Sequence, residues 1–429
     1  MPTITSPSPF SGKHRATRAP TNMSPRHKSS LERRTAHLGT AHRALRFTTK
    51  CGETGFTLVE LMVGMVVSLI CVLAMMAAFA AFEGPKRTTT SGDDAQQNGS
   101  YSLFELERQI RTAGSGLTQG NNYGVWGCSI TAYTTNQVIP RKTAFPAAFG
   151  SWPQTIPGPM LAVPVLVAAG GTDASGNALS DTIAVVAGNP AGTVFKSAVQ
   201  SSTTASTLVL DNSLGIYAND YLLATTTAGN CSLGQASAVT SASNQVTLVA
   251  ANSPSTGFTS AAYVFDMGAQ PVISLYGVDP NTSSLVMYDM LQRSGDTTLP
   301  VADGIVAIKA LYGVDDGATN ASIPGSGKLN DGIIDEWVQP TGTWSIATVT
   351  ASQTAALTAF QEIKAVRLVV VARSQLPERS IDYAGAASLT LFSDLPTAVQ
   401  YKITTQPQYR YKVYDTTIPI HNAIVQRWY

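Results

Sequence analysis

Few side chains in this 429-residue sequence are spaced to do chemistry, and the most telling of them lie near residue 55. In "TGFTLVELMVGMVVSLICVLAMMAAFAAFEG", residues 54–84, Glu60 sits at the edge of Leu61–Phe82, a run of 22 residues without a charge. A charged side chain near a helix centre in lipid costs roughly 2.5–3.5 kcal/mol on insertion scales, and less toward the interface. Glu60 therefore raises the question of what neutralises it.

The other candidates are sparser. A Ser/His/Asp arrangement would have to use His421, the one histidine beyond the first 55 residues, so no catalytic residue is assigned. Gly325–Lys328, "GSGK", lacks the full phosphate-loop spacing and sits among strand-like sequence. Asp315, Asp316, Asn330, Asp331, Asp335 and Glu336 form an acidic block. Calcium at Asp331 and Asp335 is the sharper reading. The block lacks the alternating oxygen ligands of an EF-hand, so a turn solvated by its acids is expected, with no metal and no cofactor. Of four cysteines, Cys51 and Cys71 fall before and inside the apolar run. Cys128 and Cys231 remain, and a disulfide between them is expected in an oxidising compartment, two buried thiols being the alternative.

The elements that position these residues follow from composition. Ten of the 28 Lys and Arg and two of the 27 Asp and Glu fall in residues 1–55, leaving 18 bases against 25 acids in the body. A mildly acidic body does not point to a nucleic-acid partner. The run Leu61–Phe82 is about 33 Å of helix, enough to cross a bilayer. The basic leader then stays cytoplasmic and the rest is exported. Residues 1–50, rich in Ser, Thr, Pro, Arg and His without apolar periodicity, read as disordered. An A-x-A-like site at Ala78-Phe79-Ala80 offers a competing signal-peptidase cut.

Gly84-Pro85 predicts a kink or interruption, with Ser91 and Asp93 as caps of a second helical stretch. There Leu103, Leu106 and Ile110, with Phe104 alongside, form an apolar face that ends at Gly114 and Gly116. From about residue 120, short β-branched and aromatic runs punctuated by Gly, Asn, Asp and Pro predict antiparallel strands, and "QTAALTAFQEIKA" one short helix. The fold class is α+β: a long N-terminal helix, membrane-spanning then amphipathic, packed on an antiparallel, mostly β body. The divisions are a basic leader at 1–55, a membrane-spanning helix at 56–82, an amphipathic half at 83–116 and an exported domain at 117–429.

"GFTLVELMVGMVVSLI" resembles the class III signal of type IV pilins and type II secretion pseudopilins. The resemblance implies that a prepilin peptidase cuts after Gly55 and N-methylates Phe56, and that Glu60 is the acid at the fifth mature position. Cleavage frees an α-amine on Phe56, with a reference pKa near 8. Pairing that amine with the Glu60 carboxylate of a neighbouring subunit relieves two desolvation penalties at once, which makes the pair a register device for assembly. "YSLFELERQIRTAGSG", "SDTIAVVAG", "VADGIVAIKALYGVDD", "NDGIIDEWVQP" and "VYDTTIPIHNAIVQR" resemble the PilW group of minor pilins.

That group implies a role in priming pilus assembly and at the pilus tip. The implied partners are other minor pilins, the major pilin, prepilin peptidase, the inner-membrane assembly platform and a large tip adhesin. The leader is longer than the group's usual one, which points to a misassigned start codon. His421-Asn422 stands where the group often shows Arg-Asn, so a tail contact is expected to differ. The alternatives are a J-type secretion pseudopilin and a membrane-anchored adhesin or binding protein.

Overall fold

The computed structural model describes residues 55–117, 125–132, 138–141, 143–153, 160–192, 196–204, 206–225, 229–249, 258, 261–293, 295–320, 323–378 and 383–424. The expectations for the leader up to residue 54, Cys51 included, lie outside these residues.

Helix α1 is assigned without a break over Leu58–Thr112. The interruption expected at Gly84-Pro85 is absent. A proline deletes one rung of the ladder and its ring crowds one carbonyl, but its fixed φ is itself helical, so a long helix can carry it. Ser91 is not a cap. It is buried, and its Oγ accepts the Leu376 N–H at 3.3 Å, tying α1 to the body. The amphipathic face forms as its spacing predicts: Leu106 and Ile110 are fully buried and Leu103 packs against them, while Phe104 stays exposed. Gly99 brings the helix backbone against the Tyr414 ring, where a Cβ would collide, and the Tyr414 hydroxyl donates to the Gln96 carbonyl at 2.9 Å. After Thr112 the chain turns through Gly114 and Gly116, both with φ near +77° (+78° and +76°). Asn422 Nδ2 donates to the Ala113 carbonyl at 2.8 Å, so the C-terminal tail satisfies the helix end.

Nineteen strands follow among the described residues. Strands β1 (Ser129–Ala132), β2 (Met160–Leu161), β3 (Val165–Ala168) and β4 (Thr182–Ala187) come first. Next are β5 (Lys196–Thr204), β6 (Thr207–Leu210), β7 (Tyr221–Thr225), β8 (Asn230–Thr240), β9 (Gln245–Leu248) and β10 (Tyr263–Gly268). Then come β11 (Val272–Asp279), β12 (Ser284–Asp289), β13 (Leu299–Asp303), β14 (Ile305–Val314) and β15 (Glu336–Val338). The last are β16 (Ile363–Arg373), β17 (Ser388–Leu391), β18 (Tyr401–Thr404) and β19 (Tyr411–Pro419). The expected short helix is Gln353–Glu362, capped by Ser352.

One sheet runs β13-β12-β11-β4-β3 and another β15-β14-β16-β19. Gly304, at φ +73°, joins β13 to β14, so one bent strand pairs with β12 along its first half and with β16 along its second. Leu106 and Ile110 of α1 belong to the same apolar cluster as the inner faces of β4, β11, β14 and β16. The hairpin β17-β18 covers the opposite face of β14 and β16 with Leu391, Phe392 and Ile403.

Between β4 and β11 the chain makes an excursion that the sequence reading did not separate out. It leaves the sheet at Ala187 and returns at Val272, its register partner. In between, β8-β7-β10-β5-β6-β9 close on themselves through a β8–β9 pairing, all antiparallel. This six-stranded ring has its own core, including Leu208, Leu222, Val246, Phe258 and Val264. It is fastened to the body by a parallel pairing of β1 with β8, the exception to an otherwise antiparallel expectation, and by the disulfide Cys128–Cys231. The disulfide closes a separation of 103 residues, which on a chain-entropy argument contributes about 4–5 kcal/mol.

Asp266, on β10 of the ring, has a pH-dependent cost. Its Oδ1 accepts the Gly268 N–H at 2.8 Å, while Oδ2 has no hydrogen-bond partner among the described residues. Burial, with a smaller push from Asp220, raises this carboxyl to about 6. A folded-state pKa above the unfolded value favours the protonated form. Asp266 is thus harmless below about pH 4, and the cost grows between about pH 4 and 6 and is fully present above that. Asp266→Asn keeps the accepting oxygen and removes the charge. Thermal melts should show it about 1–2 kcal/mol more stable than the parent at pH 7.5, after solvent screening, with the difference gone at pH 4. An equal difference at both pH values would contradict this assignment.

Candidate functional site

Gly55, Phe56 and Thr57 precede α1 and are exposed, Phe56 by 80%. Thr57 starts the helix: its carbonyl accepts the Leu61 N–H at 3.1 Å and its Oγ1 the Glu60 N–H at 3.3 Å. Thr57-Leu58-Val59-Glu60 has the T-x-x-E pattern of a capping box, with Glu60 at its third helical position. An acid there also meets the positive end of the helix dipole. Gly55 and Phe56 therefore lie in non-helical backbone just before a capped helix.

The helix that follows is apolar over Leu58–Glu83, 26 residues that include an 18-residue window of mean hydropathy 2.6, with none of that window buried. Among the described residues it is the helix long and apolar enough to cross a membrane. Met62, Val66, Leu69 and Leu73 are each more than half exposed. A core helix of a soluble protein buries such residues, so this surface requires lipid or other helices. Cys71, on the same run, is exposed and unbonded.

Cys128 and Cys231 are brought together, with Cα atoms 5.7 Å apart and both side chains buried. The acidic block differs from the solvated turn that was expected. Asp315 and Asp335 are buried, because glycines in the loop deliver backbone amides to them. Asp335 accepts from the Gly317 and Gly327 N–H groups at 2.7 and 2.8 Å. Asp315 accepts from Asp331 and Gly332 at 3.2 and 2.7 Å, with Lys364 Nζ 3.9 Å away. Asp331 Oδ1 accepts the Ile333 N–H at 2.9 Å. Burial first, then the nearby charges of Asp316 and Asp335, pushes the Glu336 carboxyl up. Glu362 is raised by burial and by Asp316. Among the described residues no three His, Cys, Asp or Glu side chains gather as a metal site requires. His421 is exposed on a single helical turn, His421–Ile424.

Sequence reasoning missed one buried pair. Lys309 on β14 donates to Asp181 Oδ1 at 2.5 Å and to the Leu179 carbonyl at 3.0 Å, and lies over the Tyr401 ring at 4.1 Å. Asp181 also accepts the Gly170 and Ala310 N–H groups, both at 2.9 Å. The two side chains are 1% and 0% exposed. The signal was a lone lysine inside the apolar strand "IVAIKALYGV", which can be buried there only with an anion beside it.

Comparison with known proteins finds family matches toward both ends of the chain. Residues 51–76 match the prokaryotic N-terminal methylation motif, and residues 274–422 match the family of type IV pilus-assembly protein W, PilW. The second match takes in the strands from β12 to β19 and begins just after the inserted ring. No curated protein matches the chain. A type IV-like pilin from Thermus thermophilus is similar over 48% of this chain and 84% of its own, at 11% identity and a TM-score of 0.20.

Proposed function

Because the chain is a PilW-like type IV pilin with a role in pilus assembly, we propose that it is a minor pilin that primes assembly and sits in the tip complex. In this reading prepilin peptidase cuts between Gly55 and Phe56 and methylates the new N-terminus. Phe56–Phe82 hold the protein in the inner membrane with residues 117–429 on the periplasmic side. Its partners are the other minor pilins, the major pilin, the assembly platform and a large tip adhesin. Its role is structural, and it needs no cofactor.

The observation that carries this reading is the wholly exposed apolar helix Leu58–Glu83, begun by a capped turn that holds Glu60 and preceded by an accessible Gly55–Phe56 bond. The same surface serves as lipid anchor before assembly and as packing face afterwards. The inserted ring supports a terminal position. A subunit repeated along a fibre must fit its neighbours above and below, and an additional closed module between β4 and β11 is easiest to place where nothing stacks beyond it.

Deleting the gene tests the role. Electron microscopy should show surface pili reduced about tenfold or more, and the full chain supplied in trans should restore them. Undiminished piliation, with no second PilW-like gene present, would contradict it.

A further inference from the structure

The end of the body into which the membrane run leads is built like a lipid-facing surface. The apolar run closes at Glu83, and α1 meets the body at Ser91, through the Leu376 N–H. Eight residues of helix separate the two, about 12 Å of rise, and tilt of the helix lowers that height further. Around the contact, cations and tyrosines interleave. Arg373 lies over the Tyr409 ring at 4.5 Å and Arg410 over the Tyr383 ring at 4.7 Å. Lys412, opposite Ala372 in the β16–β19 ladder, is exposed, as is Lys86 on the helix just past the apolar run. Leu376 and Val413 are each 40% exposed beside them.

The positive charge here is only partly cancelled. Glu378 pairs with Arg410 at 2.8 Å. Arg373 is held by neutral oxygens, Gln406 Oε1 and Ser283 Oγ. Asp93 and Asp94 stand further along α1, about 15 Å or more of rise from Glu83. Tyrosine beside arginine and lysine, with scattered aliphatics, is the composition that settles at a membrane–water interface. An anionic bilayer attracts such cations within a Debye length, about 8 Å at physiological salt.

We infer that this end of the body rests on the bilayer and binds anionic phospholipid headgroups through Arg373, Arg410, Lys412 and Lys86. The inference rests on the membrane reading of Leu58–Glu83. The contact orients the body before assembly and breaks when the helix leaves the bilayer for the fibre.

The full chain, reconstituted in nanodiscs of phosphatidylcholine alone or mixed with phosphatidylglycerol, tests it by amide hydrogen exchange. Residues 373–378 and 406–413 should exchange about fivefold more slowly in the anionic discs. The protection should vanish in 1 M salt and in a Lys86→Gln/Lys412→Gln variant, two exposed positions, while β14 exchanges alike throughout. Insertion with the same exchange in both disc types would overturn the headgroup contact and leave the anchor standing. Failure to enter the discs would overturn the membrane reading and the contact with it.

Discussion

Glu60→Ala is expected to leave the chain in the membrane fraction and to lower its recovery in sheared pili by about 100-fold or more. The estimate follows from the proposed pairing. Removing one partner of a buried ion pair costs about 3–5 kcal/mol, because the other charge is left uncompensated, and each ~1.4 kcal/mol is a factor of ten in an equilibrium. The competing explanation is local. Glu60 lies in the first turn of α1, and an acid there is worth only about 0.3–1 kcal/mol to the helix. That is far too little to stop a 26-residue apolar helix from inserting. Glu60→Gln separates the two effects, since glutamine fills the same position of the capping box without the charge. Failure of both variants to enter pili assigns the effect to charge, whereas recovery with glutamine assigns it to the cap. Unchanged incorporation of both would reject the pairing.

The second large effect concerns the body. Lys309→Met should destabilise it by about 3–5 kcal/mol, lowering Tm by roughly 6–10 °C, because Asp181 is left as a buried, uncompensated carboxylate. Adding Asp181→Asn should recover more than half of the loss. The amide oxygen can still accept from the Gly170 and Ala310 N–H groups, and no net charge remains inside. A double variant as unstable as the single one would show that the cost lies in packing around Tyr401 and β14. Calorimetry of the three proteins decides between these outcomes.

The parts of the fold that the sequence made legible are those whose signal is local. The apolar run, the face made by Leu103, Leu106 and Ile110, and strands such as Thr182–Ala187 and Ile363–Arg373 announce themselves by period and residue type. The N-terminal methylation motif, matched over residues 51–76, is legible for the same reason, since its signal is a run of consecutive residues. Gly84-Pro85 misled because a breaker read alone carries no information about the length of helix on either side. The inserted ring was hidden in Ala-, Ser- and Thr-rich strands. Its closure depends on one pairing, β8 with β9, and its attachment on a parallel pairing of β1 with β8, about 100 residues apart. Lys309 and Asp181 are 128 residues apart and meet only through the packing of β14 against the start of β4. Burial of Asp315 and Asp335 required knowing that a glycine-bearing loop would fold its amides back onto them.

In the proposed function Glu60 is half of an ion pair whose other half is made by proteolysis. Intact-mass and N-terminal mass spectrometry of the mature protein tests that most directly. The expected terminus is N-methyl-phenylalanine at Phe56, with residues 1–55 gone. A mature chain beginning at or after Ala81, as a signal-peptidase cut at Ala78-Phe79-Ala80 would leave, lacks both Glu60 and the helix that presents it, and would contradict the account.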